Sequence, residues 1–588
     1  MSFFRRIYRR NQPQCDDVTL NWLRESNIVF GPTTRNLLSV FEKYDKETGK
    51  LDRKSLTEAL NALDLFPTKS QVYEMIKVAS ECSHRKPEDH VLFGEFCIFA
   101  TELIEQYEQQ KLCLSTDDAG YSSTHPPLRP PFLSYMSSFQ VFLGGSCNPT
   151  TWRHDIAIPL LKQYGLTYYN PQVDEWDPHL IEVEEQAKQL AQLLVFVIDN
   201  TTRSTASLVE AAYLAGNDRP VILVIKGLPI EVAGEKLTES CSQSPVLNEY
   251  DSQCELNDLN RGHHFLIDLV QRKCLPIFED IETAVHCAAK VINQGISISE
   301  LDIKDGAQPV KYPNVRVGQK LINTKCAFKE FHQKDISKIS IKDSLLAMKS
   351  LHHKEFSFPV YWQIEESSRF SNEDEKCFDF NEFCCLVTQY RNYEQPTHPF
   401  SRVFSYLQSS ISSVVSRWSH HPPTCVPVLK RDVYLGGTCR NTTWREEISI
   451  PLLRNHGLSS FNPQLTEWDL RYIAIEAEAK ENSDYMLYVI GKGSRGVASM
   501  IEVAYYVGQG RKLVLCVQDL EYGLTIGGEK LTQRAITDYN RARQYLTDVV
   551  SRCGVPILDD IQTATVTLIE KIEAERALKV QKSLAVCE

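Results

Sequence analysis

The stretch VFLGGSCNPTTWRHDIAIPLLKQYGL, residues 141–166, decides the fold because the chain contains it twice. The related stretch VYLGGTCRNTTWREEISIPLLRNHGL occupies residues 433–458. The offset of 292 residues between Val141 and Val433 continues without a gap as far as Gly216 and Gly508. Chance does not produce a register of this length, so the sequence predicts two copies of one domain.

Each copy alternates short apolar runs with segments of helical periodicity. In the first copy, residues 141–143, 194–198 and 221–225 are predicted to be buried strands, and residues 156–164 and 207–215 to be helices. This alternation predicts a parallel, doubly wound sheet of the flavodoxin-like kind. Ligands of such sheets bind beyond the carboxyl ends of the strands, which is where Gly144, Asp199 and the loop before Glu210 are expected.

A weaker repeat precedes each α/β copy and resembles an EF-hand. The stretch from Val40 is similar to the stretch from Ala327, and each is followed by an F-x-E-F motif, at residues 93–96 and 380–383. None of the four loops has the aspartate that calcium needs at the first position, and lysine stands at ligand positions. The sequence therefore predicts paired-helix modules that bind no calcium, with the loop ending at Glu382 as the best remaining candidate and an apolar face that could dock a protein partner.

These repeats predict α/β and all-α domains in alternation. The predicted ranges are a helical module at 1–111, a linker at 112–137, an α/β domain at 138–298, a second helical module at 299–390, a linker at 391–429 and a second α/β domain at 430–588.

Composition excludes several classes of protein. The 588 residues carry a formal net charge of −12, which argues against nucleic acid as the main partner. The 18 cysteines form no C-x-x-C pair, so reduced thiols are expected in place of disulfides or a metal site, and no cofactor is predicted. No apolar run is long enough for a transmembrane segment, and no secretory signal is evident, so a cytoplasmic location is expected.

The repeated motifs supply the candidate site residues, and each has a structural alternative. Gly144-Gly145 could admit a ligand to the backbone or simply form a tight turn. Trp152-Arg153 and Trp176 could contact a ligand or pack within the domain. Glu210 could be a solvated or capping residue at a helix, although its recurrence as Glu502 in the same frame favours a ligand site.

Together these motifs resemble the nucleoside 2-deoxyribosyltransferase-like family. The resemblance implies that Glu210 and Glu502 are nucleophiles that attack the anomeric carbon of a nucleoside. It assigns the upstream acid to Asp199, eleven residues before Glu210, and a positioning tyrosine to Tyr434. The sequence departs from the family pattern at Ser204 and Phe142 in the first copy, and at Gly491 and Gly496 in the second.

The predicted site therefore has two groups of residues. Catalytic roles are predicted for Glu210, Asp199, Glu502 and Tyr434. Substrate contacts are predicted for Gly144, Gly145, Trp152, Arg153, Asn170, Trp176, Asn260 and Arg261, and for Gly436, Gly437, Trp444, Arg445, Asn462, Trp468, Asn540 and Arg541.

The resemblance also implies pockets that borrow groups from a neighbour, here another chain or the second copy. Asn260-Arg261 and Asn540-Arg541 are the residues predicted to reach across. Three functions stay open from the sequence: an enzyme that cleaves or transfers an N-glycosidic bond of a nucleoside or nucleotide, a nucleotide-sensing scaffold that has lost activity, and a TIR-like glycohydrolase of NAD.

Overall fold

A computed structural model of the chain describes residues 32–46, 48–85, 89–116, 139–173, 180–228, 231–232, 235–237, 254–307, 310, 317–331, 338–352, 377–390, 430–439, 442–464 and 472–586. Its contacts divide the chain into two compact units, one containing most of the helical modules and the other containing both α/β domains. Among the described helices, none is both long enough and apolar enough to cross a membrane.

The first helical module contains two helix–loop–strand–helix segments. They comprise α1 (Pro32–Tyr44), β1 (Lys50–Asp52), α2 (Arg53–Ala62), α3 (Lys69–Ser83), β2 (His90–Leu92) and α4 (Phe93–Thr116). The two short strands pair antiparallel, with Leu51 opposite Val91. Asp52 begins α2 by accepting a hydrogen bond from the Ser55 amide through its side chain.

The first α/β domain follows in chain order. It comprises β3 (Val141–Gly145), a π-helical turn (Arg153–Ala157), α5 (Ile158–Gln163), β4 (Tyr168–Tyr169), α6 (Leu180–Leu190), β5 (Leu193–Ile198), α7 (Thr205–Gly216), β6 (Val221–Ile225), β7 (Glu231–Val232), β8 (Glu235–Lys236), α8 (Glu255–Gln271), β9 (Ile277–Phe278) and α9 (Ile281–Gln294). Its parallel sheet has the order β4-β3-β5-β6-β9, which is the flavodoxin-like order predicted from the sequence.

The second helical module repeats the first in the part of the chain that the structure describes. Its described elements are α10 (Gln319–Phe331), β10 (Ile339–Ser340), α11 (Ile341–His352), β11 (Cys377–Phe378) and α12 (Phe380–Tyr390). Ile339 lies opposite Phe378 in its strand pair. The two modules contact each other where the Gly94 amide donates a 2.6 Å hydrogen bond to Asn381 Oδ1. The EF-hand resemblance of both modules stays a prediction.

The second α/β domain repeats the first. It comprises β12 (Arg431–Gly437), a π-helical turn (Arg445–Ser449), α13 (Ile450–Asn455), β13 (Ser460–Phe461), α14 (Tyr472–Glu481), β14 (Ser483–Ile490), α15 (Val497–Gly508), β15 (Leu513–Val517), β16 (Thr525–Ile526), β17 (Glu529–Lys530), α16 (Gln533–Arg552), β18 (Ile557–Leu558) and α17 (Ile561–Val586). The sheet order β13-β12-β14-β15-β18 is equivalent to that of the first domain, and the strands are again parallel.

Each sheet is buried on both faces, as expected of a parallel sheet covered by helices. Every residue of β5 and β6 is buried. The core of the first domain extends further along the chain than predicted, because Leu301 and Ala307 are buried in it. The predicted boundary at residue 298 therefore cuts through packed structure, and the domain includes the two 3₁₀ turns at Ile298–Glu300 and Ile303–Asp305.

The two α/β domains pack against each other through equivalent helices. A Cβ atom on Gly216 would clash with the Tyr505 carbonyl oxygen, and one on Gly508 would lie 2.5 Å from the Tyr213 carbonyl oxygen. The backbones of α7 and α15 therefore touch near their C-terminal ends, which explains why glycine stands at this position in both copies. Such reciprocal contacts are typical of a two-fold, isologous interface.

Reciprocal ion pairs join the same helices. Arg203, just before α7, places Nη1 3.0 Å from Asp538 Oδ2 on α16. Its equivalent Arg495 places Nη1 2.9 Å from Asp258 Oδ2 on α8. Both arginines are almost wholly buried, at 3% and 0% exposure. Each arginine also has a partner in its own domain, Arg203 with Glu255 and Arg495 with Glu529, so these buried ion pairs join the two domains.

Candidate active site

The glycine pair after the first strand is explained by the neighbouring strand. A Cβ atom on Gly144 would lie within 2.5 Å of the Phe196 ring, and Gly145 has a φ of +101° that side chains rarely adopt. Gly436 and Gly437 meet the equivalent constraints in the second domain. Close packing of the strand ends is thus sufficient reason for both pairs, and a ligand contact at these four glycines stays a prediction.

The W-R motif holds the loop that follows this strand. The Arg153 guanidinium donates hydrogen bonds to the carbonyl oxygens of Leu143, Gly145 and Ser146, at 3.0, 3.2 and 2.7 Å. Trp152 Nε1 donates to the same Ser146 carbonyl at 3.1 Å, and both side chains are buried.

The second domain repeats this arrangement. Arg445 donates to the carbonyl oxygens of Leu435, Gly437 and Thr438 at 2.9–3.0 Å, and Trp444 lies in the hydrophobic core. The role supported by these contacts is positioning of the backbone. A ligand contact at these arginines and tryptophans stays a prediction.

The N-P-Q motif braces the same loop. Asn170 Oδ1 accepts a 3.0 Å hydrogen bond from the Gln172 amide, and Gln172 Nε2 donates to the Thr150 carbonyl at 3.0 Å. Asn462 and Gln464 repeat the arrangement in the second domain, with Gln464 Nε2 donating to the Thr442 carbonyl. Trp176 and Trp468, also predicted to contact substrate, lie outside the described residues.

The two candidate nucleophiles occupy equivalent places and each contacts a buried lysine. Glu210 lies on α7, and its Oε1 is 2.6 Å from Lys188 Nζ on α6. Glu502 lies on α15, and its Oε1 forms a shorter contact with Lys480 Nζ on α14. Both lysines stand 22 residues before their glutamates, so the repeat register preserves the pair.

The lysines are charged in this setting. Burial alone would lower the pKa of Lys188, but the carboxylate of Glu210 more than offsets it, and the pKa lies well above its usual value. Burial likewise acts to lower the pKa of Lys480 and the charge of Glu502 to raise it, and the net result is a raised pKa. Sequence reasoning missed both lysines, although their conservation between the two copies at the 292-residue offset was a readable signal.

A second carboxyl group accompanies Glu210. Burial, followed by the negative charge of Glu210, raises the pKa of Glu184 to about 7, against smaller opposing effects of Lys188 and Arg153. Glu184 lies on α6, one turn before Lys188, and is partly exposed. The first site thus combines a carboxyl group that is partly protonated near neutral pH with a carboxylate held by an ammonium group.

The second site has the same carboxyl pair but more hydroxyl groups and less exposure. Glu476 Oε2 is 3.6 Å from Lys480 Nζ and accepts a 3.5 Å hydrogen bond from the Tyr434 hydroxyl. Tyr488 donates to Glu502 Oε2 at 3.4 Å. Tyr434 therefore contacts Glu476, whereas the prediction from sequence was that it positions the nucleophile Glu502; the described tyrosine that bonds Glu502 is Tyr488.

The predicted acid Asp199 lies at the end of β5 with other partners. Its Oδ1 accepts a 2.8 Å hydrogen bond from the Thr201 amide, and its Oδ2 is 3.9 Å from Lys226 Nζ. Among the described contacts, none joins Asp199 to Glu210. The pairing of these two carboxylates in one catalytic site, implied by the family resemblance, stays a prediction.

The groups that cross between domains lie one helical turn beyond those predicted. Arg261 is 4.0 Å from Asp258 on its own helix, and Arg541 is exposed. Asn540 bonds the backbone of Leu520, with Oδ1 accepting at 2.9 Å and Nδ2 donating at 3.0 Å. For Asn260 no described contact reaches the second domain.

Tyr545 of the second domain completes the first site. Its hydroxyl accepts a 3.4 Å hydrogen bond from Lys188 Nζ, and Lys188 lies 5.8 Å from the ring centre. Burial and the nearby Glu210 raise the pKa of Tyr545 well above its usual value, so the phenol keeps its proton. The equivalent residue, Phe265 of the first domain, lies 6.0 Å from Lys480 Nζ. Tyr545 and Phe265 thus each contact the lysine of the other domain, and the role predicted for Arg261 and Arg541 stays a prediction.

The fold and this pair of sites define a tandem of flavodoxin-like domains that share their sites across an internal interface. Comparison with known families identifies them further, because residues 138–228 and 430–520 each match the family described as "Nucleoside 2-deoxyribosyltransferase like". The chain therefore carries two tandem nucleoside 2-deoxyribosyltransferase-like domains. Searches of curated proteins and of solved structures found no match.

Proposed function

We propose that the first α/β domain binds a nucleoside or nucleotide and cleaves or transfers its N-glycosidic bond. The observation that carries this proposal is the carboxyl pair, because Glu184, with a pKa of about 7, retains a proton beside the ion-paired Glu210. Environments that separate the protonation states of two neighbouring acids are typical of acid–nucleophile pairs. The family match supports the nucleoside as the substrate class.

In the proposed reaction, Glu210 attacks the anomeric carbon and the bond to the base breaks. The electron pair of that bond leaves with the base, which accepts the proton of Glu184. The resulting glycosyl ester on Glu210 is released by water or by a second base, whose proton returns to Glu184. The Lys188 ammonium favours the ionised form of Glu210 that the attack requires.

The test is chromatography of products formed by the full chain from three separate substrates: a deoxynucleoside, a ribonucleoside and NAD. Glu210→Gln and Glu184→Gln should each lower the rate by at least about 100-fold. Glu282→Gln, the same change at an exposed position on α9, serves as the control and should leave the rate unchanged.

The pH dependence follows from the direction of the Glu184 shift. Because the proposed donor must be protonated, the rate should fall as pH rises through about 7. A rate in Glu210→Gln equal to that of the unaltered chain would contradict the enzyme proposal. Cleavage of NAD alone would assign the activity to the NAD glycohydrolase alternative.

A sensing scaffold is the second candidate function, and a cleft in the second domain favours it. The cleft, about 650 Å³ in volume, lies at the carboxyl ends of β15 and β18 and is lined by charged residues including Lys492, Asp519, Arg543 and Asp559. This volume is typical of small-molecule sites. The cleft lies away from Glu502, so binding there would not lead to the proposed chemistry. Calorimetric binding of nucleotides without any product would support this alternative.

A further inference from the structure

The loop between α3 and β2 has the framework of a calcium loop. With Val91 at the eighth position, His90 is seventh and Glu95 twelfth. The strand pairing supports this frame, because Val91 lies opposite Leu51, the residue at the eighth position of the preceding loop. In a calcium loop the seventh residue supplies a carbonyl oxygen and the twelfth a bidentate carboxylate.

Both of these groups, the His90 carbonyl and the Glu95 carboxylate, form hydrogen bonds with Arg85. Arg85 Nη1 is 2.9 Å from Glu95 Oε1, and Arg85 Nη2 is 2.8 Å from Glu95 Oε2. Nη2 also donates to the His90 carbonyl at 3.2 Å. One guanidinium group thus occupies both carboxylate oxygens and the carbonyl oxygen that a calcium ion would share.

Two further hydrogen bonds hold the Glu95 carboxylate. Ser83 Oγ donates to Glu95 Oε1 at 2.6 Å, and the Leu92 amide donates to Oε2 at 2.8 Å. The Glu95 side chain is 1% exposed and that of Arg85 16% exposed. A buried bidentate pair with further hydrogen bonds is the form in which an ion pair fixes geometry most strongly.

The contacts of the preceding loop, between α1 and β1, are different. Its twelfth position is Ser55, and the Asp45 carboxylate accepts hydrogen bonds from the Thr48 and Gly49 amides of its own loop at 2.9 and 2.8 Å. The ion pair between Lys46 and Asp52 in this loop is at the surface, with the Lys46 side chain 73% exposed and that of Asp52 51% exposed. Only the second loop therefore has a cation held between its seventh and twelfth positions, among the loop residues that the structure describes.

We propose that Arg85 is the built-in cation of this loop and holds α3, β2 and α4 in place without a divalent metal. The Arg85 guanidinium group, with its fixed fork of donors, replaces the calcium ion in joining the loop to the start of α4. The helical module is then constitutively closed at this loop, and calcium does not regulate it.

Hydrogen exchange of the full chain, read at peptides covering residues 90–95, tests this directly. Arg85→Met should speed exchange there by about 100-fold or more, because it leaves the Glu95 carboxylate buried and unpaired. The matched control is Lys46→Met, which breaks the exposed pair of the first loop and should change exchange at residues 50–52 by about fivefold or less.

Two further measurements keep the proposal falsifiable if Arg85→Met unfolds the module. The double change Arg85→Met with Glu95→Met should recover most of the protection, since it removes both charges together. Millimolar calcium should leave exchange of the unaltered chain at residues 90–95 unchanged. Unchanged exchange in Arg85→Met, or slower exchange of the unaltered chain with calcium, would overturn the proposal.

Discussion

The two α/β domains have the same Glu–Lys–Glu arrangement but surround it differently. In the first domain the residues on the two central strands are Phe142 and Phe196, and in the second they are Tyr434 and Tyr488. The second site therefore has two hydroxyl groups that bond its carboxylates, and the first has none at these positions. The two copies therefore have the same charged residues and differ in the groups that form hydrogen bonds with them.

The solvent exposure of the two glutamates also differs, and the second site is the more enclosed. The Glu210 side chain is 14% exposed and that of Glu502 is 9% exposed. Lys480 lies 5.1 Å from the ring centre of Tyr434 and 5.9 Å from that of Tyr506, so its ammonium group is surrounded by aromatic rings as well as carboxylates. In the second site burial raises the pKa of the candidate nucleophile Glu502 itself, whereas in the first site the carboxyl group with the raised pKa is Glu184, beside Glu210. This contrast is why the proposed chemistry is placed in the first domain.

The largest expected effect comes from removing the lysine of the closed site. Lys480→Met leaves Glu502 buried without its cation and should lower the free energy of unfolding by about 3–5 kcal/mol. Lys188→Met should cost less, about 1–3 kcal/mol, because water screens the more exposed Glu210. Denaturant unfolding of the full chain, followed by tryptophan fluorescence, measures both.

The control for this comparison is the double change Lys480→Met with Glu502→Gln, which should recover part of the loss by removing the unpaired charge. If Lys188→Met proves as destabilising as Lys480→Met, the two sites are equally closed and the first has no special status.

A smaller effect is expected at the glycines that bring the domains together. Gly216→Ala places a methyl group against the Tyr505 carbonyl oxygen, and helix backbones cannot give way easily, so about 2–3 kcal/mol of stability should be lost. Gly508→Ala should behave similarly, since its Cβ would meet the Tyr213 carbonyl. Gly227→Ala, where no atom lies within 4 Å of the added carbon, is the matched control. Equal stability of Gly216→Ala and Gly227→Ala would argue against close backbone contact between α7 and α15.

The fold could be predicted from the sequence because the repeat and the strand periodicity are local signals. The parallel, doubly wound sheet and the equivalence of Glu210 and Glu502 follow from them, whereas the order of the five strands is given by the structure. The partners of those glutamates could not be predicted in the same way, since Lys188 and Glu184 lie on another helix and nothing in their local pattern marks them.

The interface posed a different difficulty. Sequence reasoning selected Arg261 and Arg541 because both copies keep them, whereas Phe265 and Tyr545, which contact the lysine of the other domain, lie one helical turn further along. For the W-R motif the sequence left a ligand contact and packing within the domain open, and the observed contacts of Arg153 are with the backbone carbonyls of a strand end.

The smallest predicted effect tests the shared site most directly, because the two domains already differ at this position. Tyr545→Phe gives the first site the residue that the second has in Phe265, removing the hydroxyl that accepts from Lys188 at 3.4 Å and leaving the ring in place. Loss of one such hydrogen bond is worth about 1 kcal/mol, so the proposed activity of the first domain should fall about fivefold. The fall should appear in kcat, with KM nearly unchanged, if the hydroxyl acts through the Lys188–Glu210 pair and touches no substrate. Phe265→Tyr is the matched control, since it adds a hydroxyl beside Lys480 in the other domain and should leave that activity unaltered. An unchanged rate in Tyr545→Phe would mean that the second domain only supports the fold of the first. Equal losses in both variants would mean that the rate depends on the packing of the interface and not on the Tyr545 hydroxyl.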